Sequence, residues 1–295
     1  MKLVTYLYEG NQAVGVLTPE GEVVCPVKEL GFPCKDMNDL IDALAERGAS
    51  DLRKATEAGS FAGGIPVEKV TVLAPIPVPR QDVICLGINY MAHAEESARY
   101  KKEAFGGERP YAVYFSKRVG EAVRPDGWID GHFDMVERLD YEVELAVIIG
   151  KDARGVSEEE AADYIFGYTI MNDVSARELQ IRHKQWYFGK SLDGFTPMGP
   201  WIVTADEFSF PPKLSIQSKV NGELRQNSNT ELLIFGLPHI IQELSAGMTL
   251  KAGTIIATGT PAGVGMGFEP PRFLKSGDVV ECTIEGIGTL KNTVR

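Results

Sequence analysis

The sequence predicts an α+β protein that is rich in β-strands. It has a small N-terminal α/β domain over residues 1–72 and a larger, strand-rich domain over residues 73–295. Short runs that are apolar or alternating, which is typical of strands, recur along the chain, whereas runs with helical spacing are few. Residues 74–79 carry proline at every second position, which fits neither a helix nor a central strand. We therefore predict a stiff, extended linker there and a domain boundary near residue 72.

Composition excludes several classes of protein. The chain has 295 residues, of which 44% are hydrophobic, so it can bury a large core. A formal net charge of −11 and the lack of a basic stripe argue against nucleic-acid binding. The N-terminus lacks the apolar segment of a signal peptide, and no run of about 20 apolar residues could span a membrane. With four cysteines and no CxxC pair, we expect a cytoplasmic protein with free thiols.

The N-terminal domain begins with two predicted strands, residues 2–8 and 12–18, that are joined by a turn containing Gly10. Leu40, Ile41 and Leu44 have helical spacing, so we predict a helix over residues 39–46 that ends before a glycine. A second, weaker helix is predicted over residues 51–58.

The larger domain begins with a buried strand over residues 82–87, and Asn89 can cap the helix that follows over roughly residues 90–103. His93 and Glu96 are three residues apart on this helix and therefore neighbours on one face. The helix is otherwise polar and is followed by two glycines, so it is a candidate mobile lid. The alternative interpretation of His93 and Glu96 is an ordinary surface pair.

Two glutamates stand out in the strand-like segment 140–145. Because side chains alternate along a strand, Glu142 and Glu144 point to the same side, about 7 Å apart at roughly 3.3 Å per residue. The apolar residues 146–150 that follow indicate a buried strand. Two buried carboxylates repel each other and lose hydration, and a hard divalent cation such as Mg²⁺ or Mn²⁺ relieves both effects. The alternative is an edge strand with two solvated glutamates.

Further polar residues follow the next predicted strand, residues 166–171. Asp173 at its end is either a third oxygen ligand or the N-cap of the next helix. Arg177 and Gln180 lie three apart on one face of that helix. Lys190 follows a glycine that would allow a close approach.

The C-terminal third is mainly strands. Asn221-Gly222 is a strong hairpin signal, and an apolar helix is predicted over residues 231–245. A buried strand leads into the glycine-rich segment 259–265, which lacks the GK[ST] signature and the following helix of a phosphate loop. Its glycines instead favour close approach of backbone to a ligand or metal site. Residues 279–294 form a last predicted hairpin.

In combination, five motifs resemble those of the fumarylacetoacetate hydrolase superfamily, and the resemblance covers about residues 80–295. The motifs, in the order in which they follow one another along the chain, are Gly87-Ile88-Asn89-Tyr90 with His93 and Glu96, Asp140–Leu145, Asn172–Arg177, Gly189-Lys190-Ser191 and Gly259–Gly265. The resemblance implies a β-roll catalytic domain, a homodimer, and an N-terminal segment like the small domain appended in many bacterial members. Residues 182–185 and 267–271 resemble the bacterial branch of acylpyruvate hydrolases and oxaloacetate decarboxylases.

The resemblance also implies roles for individual residues. Glu142, Glu144 and Asp173 would bind one Mg²⁺ or Mn²⁺. His93 and Glu96 would form an acid/base dyad on a lid that closes over the substrate.

The remaining implied roles concern the substrate. Arg177, Gln180 and Lys190 would hold its oxygen atoms, with Lys190 also stabilising charge during catalysis. Thr260 would contact its carboxylate.

The implied function is metal-dependent cleavage of a C–C bond in a small, anionic 2-oxo or 2,4-dioxo acid through a metal-stabilised enolate. Acylpyruvate hydrolysis and oxaloacetate decarboxylation share that enolate, so the motifs do not separate them. One alternative is an isomerase or hydratase of an unsaturated 2-hydroxy dicarboxylic acid from aromatic degradation, and another is a metabolite-binding protein without catalysis. Residues 91–110 and 124–139 are expected to select the substrate's acyl group.

Overall fold

The computed structural model describes residues 1–58, 63–104, 106–107 and 110–295. Residues 59–62 of the predicted N-terminal domain and residues 105, 108 and 109 of the predicted lid lie outside the described residues. Within the described ranges, no helix is both long enough and apolar enough to cross a membrane.

The helices are short and the strands are many, as predicted. The helices are α1 (Met37–Arg47), α2 (Ala49–Ala58), α3 (Met91–Lys101), α4 (Arg177–His183), α5 (Tyr187–Lys190) and α6 (Leu237–Gly247). The strands are β1 (Lys2–Tyr8), β2 (Asn11–Leu17), β3 (Val23–Pro26), β4 (Ile65–Pro66), β5 (Thr71–Val72), β6 (Val83–Gly87), β7 (Val113–Lys117), β8 (Trp128–Ile129), β9 (Leu139–Asp140), β10 (Val143–Ile149), β11 (Ile165–Asn172), β12 (Ser175–Ala176), β13 (Met198–Thr204), β14 (Ser215–Val220), β15 (Glu223–Asn229), β16 (Ile255–Ala257), β17 (Val279–Ile284) and β18 (Gly288–Val294).

Most strands belong to two sheets. The larger has 11 strands in the order β4-β3-β2-β1-β13-β11-β10-β16-β6-β7, with β5 paired to β1 outside this path. The second has five strands in the order β15-β14-β17-β18-β8, and β9 pairs with β12 separately. Most neighbours are antiparallel, while β6–β16 and β8–β18 are parallel. This architecture confirms the predicted β-rich α+β class.

Several local predictions are confirmed with their physical causes. The β14–β15 hairpin turns at Asn221 and Gly222, whose positive φ angles of 52° and 80° suit these two residue types. Helix α1 begins where the Asp36 carboxylate accepts the Asp39 N–H, and it ends before Gly48.

Two predictions about helix starts are wrong. Asn89 does not cap α3; its side chain instead binds the N–H and C=O of Phe235 and the C=O of Thr258, so it fastens the loop before α3 to two other segments. The helix predicted over residues 231–245 begins only at Leu237, with Pro238 in its first turn, after a separate 3₁₀ turn at Thr230–Leu232.

The first 72 residues share a sheet and a core with the rest of the chain. Strand β1 pairs with β13, and Leu3 lies opposite Ile202. Leu3 and Leu40 belong to the same buried apolar cluster as Ile148 and Met171. The domain boundary near residue 72 therefore stays a prediction, with hydrogen bonds and apolar contacts crossing it.

Deletion of residues 1–72 tests this boundary. It would uncover several large side chains of β10, β11, β13 and β16, and each buried aliphatic side chain stabilises a fold by about 1.5–3 kcal/mol. Since a domain is typically stable by only about 5–15 kcal/mol, we expect the truncated chain to aggregate or to lose its cooperative thermal transition. Circular dichroism melting and size-exclusion chromatography against the full chain measure this, and a soluble, cooperatively melting truncation would establish two independent domains.

Candidate active site

Three carboxylates converge where β10 and β11 pair. Glu144 lies in β10, Glu142 immediately precedes it, and Asp173 immediately follows β11. Each offers one oxygen atom, and these atoms lie within 4.8 Å of one another. All three side chains are buried. The expected convergence of Glu142, Glu144 and Asp173 is thus present.

The route to this convergence differs from the predicted one. The segment 140–145 is not one strand, because the chain leaves β9 after Asp140 and enters β10 only at Val143. The Glu142 N–H donates to the Asn172 side-chain oxygen at 2.9 Å instead of joining the strand ladder. Strand alternation alone therefore does not explain why Glu142 and Glu144 face the same site.

Basic side chains surround two of the three carboxylates. Lys190 Nζ lies 2.8 Å from Glu142 Oε2 and 2.6 Å from Asp173 Oδ2. Arg177 Nη1 lies 2.6 Å from the other oxygen of Glu142. Lys117 Nζ lies 2.7 Å from the other oxygen of Asp173. Among the described residues, Glu144 makes no ion pair and accepts only the Gly259 N–H, at 2.9 Å.

The pKa values follow from this uneven pairing. Burial acts to raise the pKa of Glu142, but Lys190 and Arg177 outweigh it and hold that pKa at about 2. Burial, Asp173 and Glu142 all act to raise the pKa of Glu144, which lies well above its usual value. Burial would lower the pKa of Lys190, but the adjacent Asp173 and Glu142 raise it above the ordinary lysine value.

This donor set fits a hard divalent cation. The three carboxylates supply oxygen atoms, which Mg²⁺ and Mn²⁺ prefer, and leave coordination positions for substrate or water. The raised pKa of Glu144 marks a buried carboxylate for which the charge of Lys190 does not offset burial and the two neighbouring carboxylates, and a cation held between the three groups would supply further positive charge.

His93 and Glu96 lie on the inner face of α3 and are buried, so they are not a surface pair. His93 Nδ1 lies 3.1 Å from Glu96 Oε2. Glu96 also accepts the Gly263 N–H, at 3.0 Å to Oε1 and 3.3 Å to Oε2. The carboxylate therefore orients the imidazole and is itself held by the glycine-rich segment.

A cavity of about 920 Å³ joins most of the predicted site residues. Those that line it are His93, Glu142, Glu144, Arg177, Gln180, Lys190 and Thr260. Glu96 and Asp173 are not among the lining residues, and each instead contacts a residue that is. Glu142, Glu144 and the imidazole of His93 thus face one space that is large enough for a small organic acid.

Arg177 lines this cavity and has one donor without a partner among the described residues. Its Nε binds Asp140 at 2.8 Å and its Nη1 binds Glu142 and Gln180, whereas its buried Nη2 has no hydrogen-bond partner among the described residues. Because Gln180 accepts with its oxygen, its amide nitrogen is left for another contact. Both groups suit the oxygen atoms of a substrate.

Lys190 and Thr260 are more constrained than predicted. The three hydrogen atoms of the Lys190 ammonium are matched by Glu142, Asp173 and Ser175. The Thr260 hydroxyl donates to the Val143 carbonyl at 2.9 Å. A direct hydrogen bond from either group to a substrate would require one of these bonds to break, so their predicted contacts with substrate stay predictions.

Sequence reasoning missed three supporting residues. Lys117 is fully buried against Asp173, yet a lysine that ends an alternating strand reads as solvated. Asp140 binds Arg177 and the N–H groups of Gly265 and Met266. Gln226 accepts the Val143 N–H and donates to Thr260. Asp140 belongs to the motif Asp140–Leu145 and could have been recognised from it. Nothing in the sequence around Lys117 or Gln226 indicates a role in the site.

The fold and the site together define a known class of protein, and the chain belongs to the fumarylacetoacetate hydrolase family. The family model described as fumarylacetoacetate (FAA) hydrolase C-terminal matches residues 82–295. This range contains every residue of the candidate site.

Individual relatives have different activities. Oxaloacetate tautomerase YisK of Bacillus subtilis is 47% identical over 238 residues, which are 81% of this chain and 77% of that protein. A fumarylacetoacetate hydrolase from Exiguobacterium antarcticum is 39% identical with a TM-score of 0.84, over 100% of this chain and 99% of that one. A maleylpyruvate hydrolase from Sphingobium, solved with manganese(II) and pyruvate, is 31% identical with a TM-score of 0.78, over 100% and 98%.

Replacement of Glu144 by glutamine tests the candidate metal centre. The amide keeps the shape but removes the charge, so Mn²⁺ affinity should fall by more than the roughly 10–100-fold seen when residues outside the ligand shell are changed. Without metal, the melting temperature of the variant should equal or exceed that of the wild type, because the substitution removes a buried carboxylate that has no ion-pair partner. Titration calorimetry and thermal melting measure both effects.

The exposed Glu20 provides a matched control, since E20Q should change neither quantity. Wild-type Mn²⁺ affinity in E144Q would exclude Glu144 as a ligand.

Proposed function

We propose that this chain is a divalent-metal-dependent enzyme that acts on a small 2-oxo dicarboxylic acid through its enolate, with oxaloacetate as the first candidate substrate. The observation that supports this most directly is the single cavity in which Glu142, Glu144, Arg177 and His93 face one another. It offers a place for a cation, donors for substrate oxygens and a group that can transfer a proton.

Glu142, Glu144 and Asp173 would hold Mg²⁺ or Mn²⁺, and the bound ion would act as a Lewis acid toward the carboxylate and 2-oxo oxygens of the substrate. The Nη2 of Arg177 and the amide nitrogen of Gln180 would hold substrate oxygens in place. Lys190 would act through its positive charge, because its hydrogen atoms already bind protein groups.

His93 is the proposed acid/base group. Its Nδ1 faces Glu96, which leaves Nε2 for the substrate or a water molecule. In keto–enol interconversion, His93 would move a proton at C3 of the 2-oxo acid. In hydrolysis of an acylpyruvate, it would take a proton from the water that attacks the 4-oxo carbon.

We place keto–enol interconversion of oxaloacetate first, because the relative that carries this name is 47% identical to this chain. Cleavage of a C–C bond, by hydrolysis or by decarboxylation, is the second candidate and is supported by the similarity to a maleylpyruvate hydrolase. Both reactions pass through an enolate at the same carbon atom and need the same donors. Which reaction the site catalyses therefore depends on how a proton or a water molecule is delivered to the substrate.

Turnover with and without metal tests the proposal. The protein would be freed of metal, supplied with Mn²⁺ or Mg²⁺, and then treated with EDTA. Three substrates separate the reactions. Conversion of oxaloacetate is monitored through the loss of enol absorbance and through CO₂ release. Hydrolysis of acetylpyruvate and of fumarylpyruvate is monitored through pyruvate release. We expect metal-restored, EDTA-sensitive conversion of oxaloacetate above the rate given by the metal alone, whereas activity that survives exhaustive chelation would contradict the proposal.

Replacement of His93 by asparagine tests the proton-transfer role. General acid/base catalysis contributes about 10²–10⁴-fold, so turnover by H93N should fall by that factor while Mn²⁺ affinity is retained. His239 is partly exposed on α6, and H239N serves as the control that should keep full activity. Wild-type turnover by H93N would assign proton transfer to another group.

A further inference from the structure

The dyad depends on a turn of the chain that carries no reactive group. Helix α3 packs against the 3₁₀ turn Gly265–Gly267. The three heavy atoms nearest to a Cβ added at Gly267 are Oε1, Cδ and Cγ of Glu96, and the added atom would overlap all three. The Glu96 carboxylate therefore occupies the space that a side chain at position 267 would need.

The segment 263–267, which contains this turn, is held by residues that adjoin Glu142, a candidate metal ligand. The Tyr141 hydroxyl donates to the Gly263 carbonyl at 2.9 Å. The Asp140 carboxylate accepts the N–H groups of Gly265 at 2.6 Å and Met266 at 3.0 Å. Since the Gly263 N–H in turn binds Glu96, hydrogen bonds connect residues 140–141, next to the candidate metal ligand Glu142, to the dyad through this segment.

We propose that Gly267 is a positioning residue: it admits Glu96 to the 263–267 turn and so sets the distance between His93 and the carboxylate cluster. The consequence for catalysis rests on the proposed function, whereas the docking of α3 does not. Glu96 then has two tasks, because it orients the imidazole and anchors the helix that carries it.

Gly267 is a clean position for a test. Its φ angle is not in the left-handed region, so alanine is compatible with the backbone, and its nearest neighbours are all atoms of one side chain. Gly263 is unsuitable, because its φ of 105° and its contact with the Arg225 carbonyl would both resist a side chain. Gly247 at the end of α6 has open space around it and a permissive φ, so G247A is the matched control.

The experiment is a double-mutant cycle on the full chain with G267A, E96A and the combination. Hydrogen exchange of residues 91–101 and the urea midpoint of unfolding report docking of α3, and neither requires a substrate. We expect G267A to speed exchange in α3 and to lower the urea midpoint when Glu96 is present. In the E96A background the same substitution should leave the midpoint unchanged or raise it, because the overlapping atoms are gone.

Turnover is the second readout. G267A should lower kcat by about 10²-fold or more, the range of acid/base catalysis, with KM and Mn²⁺ affinity unchanged. E96A should lose a similar factor, and the double variant should lose no more than E96A. If the wild type converts none of the three substrates, the proposed function fails, and the exchange and unfolding data still decide the role of Gly267.

Two results would overturn the inference. One is wild-type exchange and stability in G267A, and the other is an equal effect of G267A with and without Glu96. If G267A does not fold, the inference requires the E96A/G267A protein to fold. If neither folds, the alanine clashes with a group other than Glu96, and the inference is wrong. G247A should match the wild type throughout.

Discussion

Three carboxylates buried within a few ångströms of one another are the constraint on which the rest of this structure depends. Each loses hydration and repels the other two, so the fold must supply positive charge or leave room for it. Lys190 is shared by Glu142 and Asp173, while Arg177 and Lys117 each neutralise one of them. Glu144 is left without an ion pair among the described residues, and this imbalance is what makes a bound cation the natural completion of the site.

The larger sheet positions the carboxylates, and the loops position the dyad. The β10–β11 pairing brings Glu144 and Asp173 together, and Asn172 holds the backbone of Glu142 beside them. The pairing of two central strands therefore sets the relative positions of these groups. His93 and Glu96 instead lie on a short helix that is held by hydrogen bonds to loops, so their position depends on Asn89, which precedes the helix, and on the glycine-rich segment that binds Glu96.

The sequence indicated which residues form the candidate site better than it indicated how they are arranged. Carboxylates in a buried, strand-like segment indicate the candidate metal centre, and the β-rich class follows from short alternating runs. The break before Val143 was not predictable from the alternation, since it depends on the side chain of Asn172, 30 residues away. Lys117 shows the same limit, because only the fold brings it to Asp173, and Gly267 looks like any loop glycine until Glu96 is seen to fill its space.

The glycine-rich segment 259–265 contacts both the carboxylate cluster and the dyad. Gly259 donates to Glu144 in the carboxylate cluster, and Gly263 donates to Glu96 in the dyad. Because the segment is bound at both points, it connects the carboxylate cluster to the dyad. A substitution in α3 or in this segment can therefore move His93 without changing the three carboxylates. Relatives are named as a tautomerase and as hydrolases, and a difference in how a proton or water is delivered to the same enolate would account for both activities.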